Sequence, residues 1–146
     1  MQTITLLRLS THSWSNTIAD MLTLGFYFLL CPGEYAQTTN PESTPFRMQD
    51  IHLQASGHRL NHLQCRYHML DSATFVCLEL TKQKNGIQGE LIGLGRSGNP
   101  AFCPVQASIN RIKHLRLFHA PPHTPLFAFF TREWLAISTT ILTHEL

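Results

Sequence analysis

Apolar residues run almost unbroken from Ile18 to Cys31, IADMLTLGFYFLLC, with Asp20 the one charge inside the run. A segment that is apolar all round predicts a helix buried all round. Ser13, Ser15 and Asn16 offer N-cap oxygens ahead of it, Asp20 suits the positive end of the helix dipole, and Pro32 with Gly33 is expected to stop it. Gln37 to Pro45 carries Thr, Asn, Ser and Pro and reads as a loop, after which Phe46 to Leu53 is a short strand candidate. Gly57 to Leu70 is polar and His-rich without a clear period, so it reads as loop with at most a helical turn.

The clearest strand pattern is Ala73 to Thr81, ATFVCLELT, followed by Lys82-Gln83-Lys84-Asn85-Gly86 and then Ile87 to Gly93. Asn-Gly supplies the positive φ angles of a tight turn, so these segments predict a β-hairpin with a basic tip. Gly93 to Gly98 reads as a flexible turn. Pro104 then opens a helix in which Val105, Ile109, Ile112 and Leu115 to Leu117 recur at helical spacing, with Asn110, Arg111, Lys113, His114 and Arg116 on its other sides. Ala120 to Pro125 is a stiff break, Leu126 to Thr131 a short buried strand, and Trp134 to Leu146 a terminal helix. No internal repeat and no low-complexity tract interrupts this order.

Length and composition narrow the class. A chain of 146 residues has room for one domain that buries about 70% of its unfolded surface. Hydrophobic content of 43% excludes a disordered tail, and a net charge of +2 permits nucleic-acid binding without demanding it. Cys31, Cys65, Cys77 and Cys103 form no C-x-x-C pair and no dense framework, which suits a reducing, intracellular compartment. Ile18 to Cys31 is too short to span a bilayer comfortably and lacks the flanks of a signal peptide, so no membrane partner is expected.

Several chemistries are considered on their residues. Gly93-Leu94-Gly95-Arg96-Ser97-Gly98 fits G-x-G-x-x-G, but Asn99-Pro100 interrupts where a phosphate-binding helix should begin, and no acidic residue lies between Leu91 and Thr131 to hold a ribose; no cofactor is expected. His58, His62, Cys65 and His68 form H-x3-H-x2-C-x2-H, and on a helix the first three would share a face as zinc ligands could. Arg59 and Arg66 would oppose the cation, so a solvated loop is preferred and a zinc module kept as the alternative. Without G-x-S-x-G, and with Cys31 and Cys103 beside apolar runs, a nucleophilic hydrolase is not favoured, and both thiols read as packing residues. Lys82 and Lys84 at the hairpin tip, Arg96 nearby, and Arg111, Lys113 and Arg116 on the following helix make a basic set that an ordinary solvated turn would also explain.

Taken together, IADMLTLGFYFLLCPGEYA, TPFRMQDIHL, SATFVCLELTKQKNGIQGELIGLGRSG, CPVQASINRIKHLR and APPHTPL resemble successive blocks of the integrase-like tyrosine recombinases of eukaryotic mobile elements, from about Thr17 to Pro125. The resemblance implies an α+β fold, helices packed around a small antiparallel sheet with a β-hairpin, as one partial catalytic domain over residues 1–146. In such enzymes a Tyr attacks a DNA phosphodiester, two Arg and a His surround the phosphorus, and a hairpin Lys protonates the departing oxygen. Lys84 falls at the hairpin Lys position, with Lys82 a second occupant. Glu34 matches the family's Arg-x-x-Glu pattern as a supporting residue, but Cys31 stands where the Arg belongs, and a thiol cannot clamp phosphate as guanidinium does. The His-x-x-Arg box and the Tyr nucleophile have no counterpart before Leu146. The resemblance therefore implies an inactive copy that keeps DNA as partner through Lys82, Arg47, Arg111, Lys113 and Arg116, binds no metal, and does not assemble into the family's oligomers on DNA. A nuclear location follows if the host is eukaryotic.

Overall fold

A computed structural model of the protein describes residues 13–35, 44–81, 88–130 and 134–135. The elements follow the apolar pattern. Helix α1 spans Ser13–Tyr27, α2 Pro32–Tyr35, α3 Tyr67–Asp71 and α4 Pro104–Leu117; strands β1 Ile51–Ala55, β2 His58–Arg59, β3 Phe75–Leu80 and β4 Glu90–Gly95 form an antiparallel sheet in the order β2-β1-β3-β4. A second pair joins β5 Phe129–Phe130 to β6 Trp134–Leu135. The expectation of helices around a small antiparallel sheet therefore holds at the level of an α+β fold.

Alternation along the strands decides what the sheet buries. Ile51 and Leu53 of β1, Val76, Leu78 and Leu80 of β3, and Ile92 and Leu94 of β4 join one core with Ile18, Met21 and Leu24 of α1 and Val105, Ile109 and Ile112 of α4. Two-fold alternation sends His52, Gln54, Phe75, Cys77 and Glu79 to the other face.

Both long helices close in the same way. The N–H of Leu30 donates to the Gly25 carbonyl and that of Leu29 to Phe26, with Leu29 at φ +53°; Ala120 and His119 repeat the pattern on Leu115 and Arg116, with His119 at φ +55°. These are Schellman closures built on residues other than glycine. They explain why α1 ends at Tyr27: the chain has already turned before Pro32 and Gly33, which start α2 instead of stopping α1.

Other expectations shift. Phe46 to Leu53 is not a single strand, since Met48–Asp50 is a 3-10 turn ahead of β1. The His-rich segment contains a hairpin, Ala55 opposite His58, closed by Ser56 (φ +51°) and Gly57 (φ +75°), the two positive angles of a tight type I′ turn. Gly93 and Gly95 lie within β4 and not in a turn; a Cβ on Gly93 would come 2.4 Å from the Phe75 ring, so glycine there makes room for an aromatic side chain across the strands. Trp134 begins a short strand where a helix was expected, and residues 136–146 lie outside the described residues, as does most of the Gln37 to Pro45 loop.

Candidate functional site

Cys31 follows the α1 closure and is exposed, which corrects its reading as a packing residue; Cys103 is buried as expected, and all four thiols are free. The Cys31 N–H donates to the Glu34 carboxylate at 2.7 Å, and the Glu34 N–H to the Cys31 carbonyl at 2.8 Å. Glu34 thus caps the start of α2, half of a capping box, and holds the backbone at Cys31. Leu30, one residue earlier, packs against the core beside Leu78 of β3, Ile51 and Phe127.

The β3–β4 hairpin is present, with Leu80 opposite Glu90 and the Gly89 N–H donating to the Leu80 carbonyl at 2.8 Å. A two-residue turn on Asn85-Gly86, extended without interruption, would set Leu80 opposite Leu91. The observed register is one residue away from that. Lys82 and Lys84, with the tip, lie outside the described residues.

The basic residues expected to face DNA are mostly engaged within the protein. Arg111 is 1% exposed. Its Nε donates to the Leu126 carbonyl (3.0 Å), Nη1 to Thr17 Oγ1 (2.7 Å) and Nη2 to the Ala128 carbonyl (2.6 Å). Burial lowers its pKa to about 10, opposed by nearby Asp20. This corrects its assignment to a DNA-binding face: its donors hold the turn after Pro125 onto α1 and α4. Arg47 forms a fork to Asp50 (3.1 Å for each nitrogen), a hydrogen-bonded pairing that raises its pKa. Lys113 reaches Asp71 at 2.6 Å, and Arg116 donates to the His62 carbonyl at 3.2 Å while lying 4.8 Å from the centre of the Tyr67 ring.

The H-x3-H-x2-C-x2-H spacing does not become a ligand set. His58 is on β2, His62 in the following turn and His68 on α3, so the helix that would align the first three is absent, and among the described residues no group of three or more His, Cys, Asp or Glu could hold a metal ion. Nor is any described helix long and apolar enough to cross a membrane.

Sequence reasoning missed the polar network on the outer face of the sheet. His52, 3% exposed, places Nε2 2.9 Å from Glu79 Oε2 and receives Arg59 Nη2 at Nδ1 at 2.5 Å. A carboxylate only accepts and a guanidinium only donates, so the arrangement fits a neutral imidazole with its proton on Nε2. The His62 ring lies 6.0 Å from that of His52, and its Nε2 donates to the Met48 carbonyl at 3.0 Å. Burial holds the His62 pKa below its ordinary value; the Met48 bond opposes this, and His52, Arg59 and Arg116 add to it. Beside these residues opens a cleft of about 340 Å³ lined by Gln49, Arg59, Leu60, Asn61, His62 and Leu63. The available signal was Ser56-Gly57, a turn dipeptide that places Arg59 opposite Gln54.

No family model matches the chain, and neither a curated protein nor a solved structure matches it significantly.

Proposed function

We propose that the chain carries part of a tyrosine-recombinase catalytic fold and binds duplex DNA through the β3–β4 hairpin loop without cleaving it. The observation that supports this most is that Leu30 and Leu78 pack in the same part of the apolar core. The segment entering Cys31 and the strand that runs on toward Lys82 and Lys84 start from one part of the core, which is compatible with the two positions serving one phosphate as they do in the family. Cys31 offers a neutral thiol there, and loss of a charged donor of this kind removes about 3 kcal/mol or more of transition-state stabilisation. Because Arg47, Arg111 and Lys113 already have internal partners, the hairpin lysines carry the DNA contact.

Fluorescence anisotropy with a labelled duplex tests the binding. Affinity is expected to fall with salt at a logarithmic slope of about −2, two phosphates' worth, and to drop in Lys84→Ala. A salt-insensitive signal, or no binding at low salt, overturns the DNA reading. On a nicked suicide duplex no covalent adduct is expected; an adduct would show that cleavage survives the Arg-to-Cys departure.

A further inference from the structure

The cleft beside β2 has the construction of an anion site. Arg59 is exposed and makes no salt bridge among the described residues; its one hydrogen-bond partner there is the imidazole of His52, which only accepts from it. Arg59 thus has no direct carboxylate partner there, unlike Arg47 and Lys113, and Glu79 faces it only across the His52 ring. The tight Ser56-Gly57 hairpin fixes its backbone, and Glu79 holds the ring against which the guanidinium rests. Gln49 and Asn61 add amide groups to the lining, and Arg116, itself outside the lining, donates from α4 to the carbonyl of His62.

We infer that this cleft binds a phosphoryl oxyanion, with Arg59 as its principal ligand and Arg116 and His62 supplying the surrounding positive charge. A guanidinium with one donor already fixed presents the rest of its planar fork with little entropy left to lose, and a fork matches two phosphoryl oxygens. His62 adds a proton-linked element. Its Nε2 is committed to the Met48 carbonyl, so Nδ1 is the nitrogen that takes up a proton when an anion offsets the repulsion from His52, Arg59 and Arg116. Glu79, the carboxylate nearest the network, is turned to His52. The inference does not rest on the recombinase reading, because it concerns the β1–β2 end of the sheet and not the lysine loop.

The full chain is titrated with inorganic phosphate and, separately, with a short oligothymidylate lacking a terminal phosphate, following the histidine ring resonances by NMR across pH. Saturable shifts of His62 are expected, with its titration moved to higher pH in the bound state. Arg59→Gln is expected to weaken binding about tenfold or more, and Arg59→Lys, which keeps the charge without the fork, by less. Lys113→Gln should leave binding unchanged. A response to phosphate identifies a free or terminal phosphoryl group as the ligand; a response to the oligonucleotide alone identifies a phosphodiester. Failure of both ligands to shift His62, or undiminished binding in a folded Arg59→Gln protein, overturns the inference. A protein that loses duplex DNA but still binds phosphate would separate the failure of the recombinase reading from that of this site.

Discussion

Arg111 and Arg59 are both held by hydrogen bonds to neutral groups, and their surroundings give them opposite uses. Arg111 lies between α1, α4 and the turn after Pro125, 1% exposed, with its donors on two carbonyls and a hydroxyl. Arg59 lies on the outer side of the sheet, exposed, with one donor on an imidazole. Three fixed hydrogen bonds in a dry site make a cation into a structural bolt. One bond at the mouth of a cleft leaves a cation oriented and available. What separates the two roles is how many donors remain and whether water reaches them.

The largest expected effect tests the bolt. Arg111→Met should destabilise the protein by about 3–5 kcal/mol, because it deprives buried acceptors of their donors and removes the cation beside buried Asp20. Arg59→Gln should change stability by less than about 1 kcal/mol, as exposed substitutions usually do. Urea unfolding of both variants checks this, and similar losses at the two sites would erase the distinction.

Acid should also find the Arg111 side first. His114 stacks on Phe129 with centroids 5.5 Å apart, its Nε2 finds no hydrogen-bond partner among the described residues, and burial with help from Arg111 lowers its pKa to about 4. The unfolded chain binds this proton more readily than the folded one. The resulting stability is full above about pH 6.5 and is lost as pH falls toward 4. The ring is only partly buried, so screening holds the loss to about 1–2 kcal/mol. His114→Phe keeps the stack without the titration and should flatten the slope in unfolding measurements over that range; an unchanged slope would move the acid sensitivity elsewhere.

The hairpin that mounts Arg59 offers a smaller lever. Gly57→Ala forces a Cβ into φ +75° and should cost about 1 kcal/mol, although nothing lies within 4 Å of the added atom. Phosphate affinity should fall along with stability, since the guanidinium loses its fixed approach. Calorimetry of the variant reads both.

How far the sequence shows these sites depends on what marks them. Pro104 and the spacing of Val105, Ile109 and Ile112 are enough to place α4 from its first residue, and the strand pattern of Ala73 to Thr81 finds β3. Arg111 is misread because the buried arc of α4 is wider than its apolar stripe. Beyond the apolar stripe the buried surface continues onto Ala107 and Arg111, where a small residue and a hydrogen-bonded cation take the place of aliphatic ones. A rule that sends arginine to the surface fails where a loop supplies carbonyls from far along the chain. The β1–β2 hairpin is hidden for a different reason: β2 has two residues and both are exposed, so no hydrophobic alternation marks it. The Leu29 and His119 closures carry no glycine, which is why the first helix reads as longer than it is. The hairpin strands are legible through their own residue pattern, whereas the Glu79–His52–Arg59 chain depends on cross-strand register, which composition does not encode.

The smallest predicted effect bears most directly on why Arg59 stays available. Glu79→Gln keeps an oxygen that can accept from His52 Nε2 and removes only the charge, at a side chain 39% exposed, so stability should change by no more than about 0.5 kcal/mol. The chemical consequence is larger than the energetic one. With the carboxylate gone, the amide can present either its oxygen or its NH2 group to the ring, and only the oxygen preserves the tautomer that leaves Nδ1 to accept from Arg59. Nitrogen-15 shifts of the His52 ring should report the Nε2-protonated form in the parent protein and a mixture of tautomers in Glu79→Gln, with Arg59 correspondingly less fixed. If the variant keeps a single Nε2-protonated ring, the guanidinium by itself sets the tautomer, and Glu79 is a neighbour of the network and not its anchor.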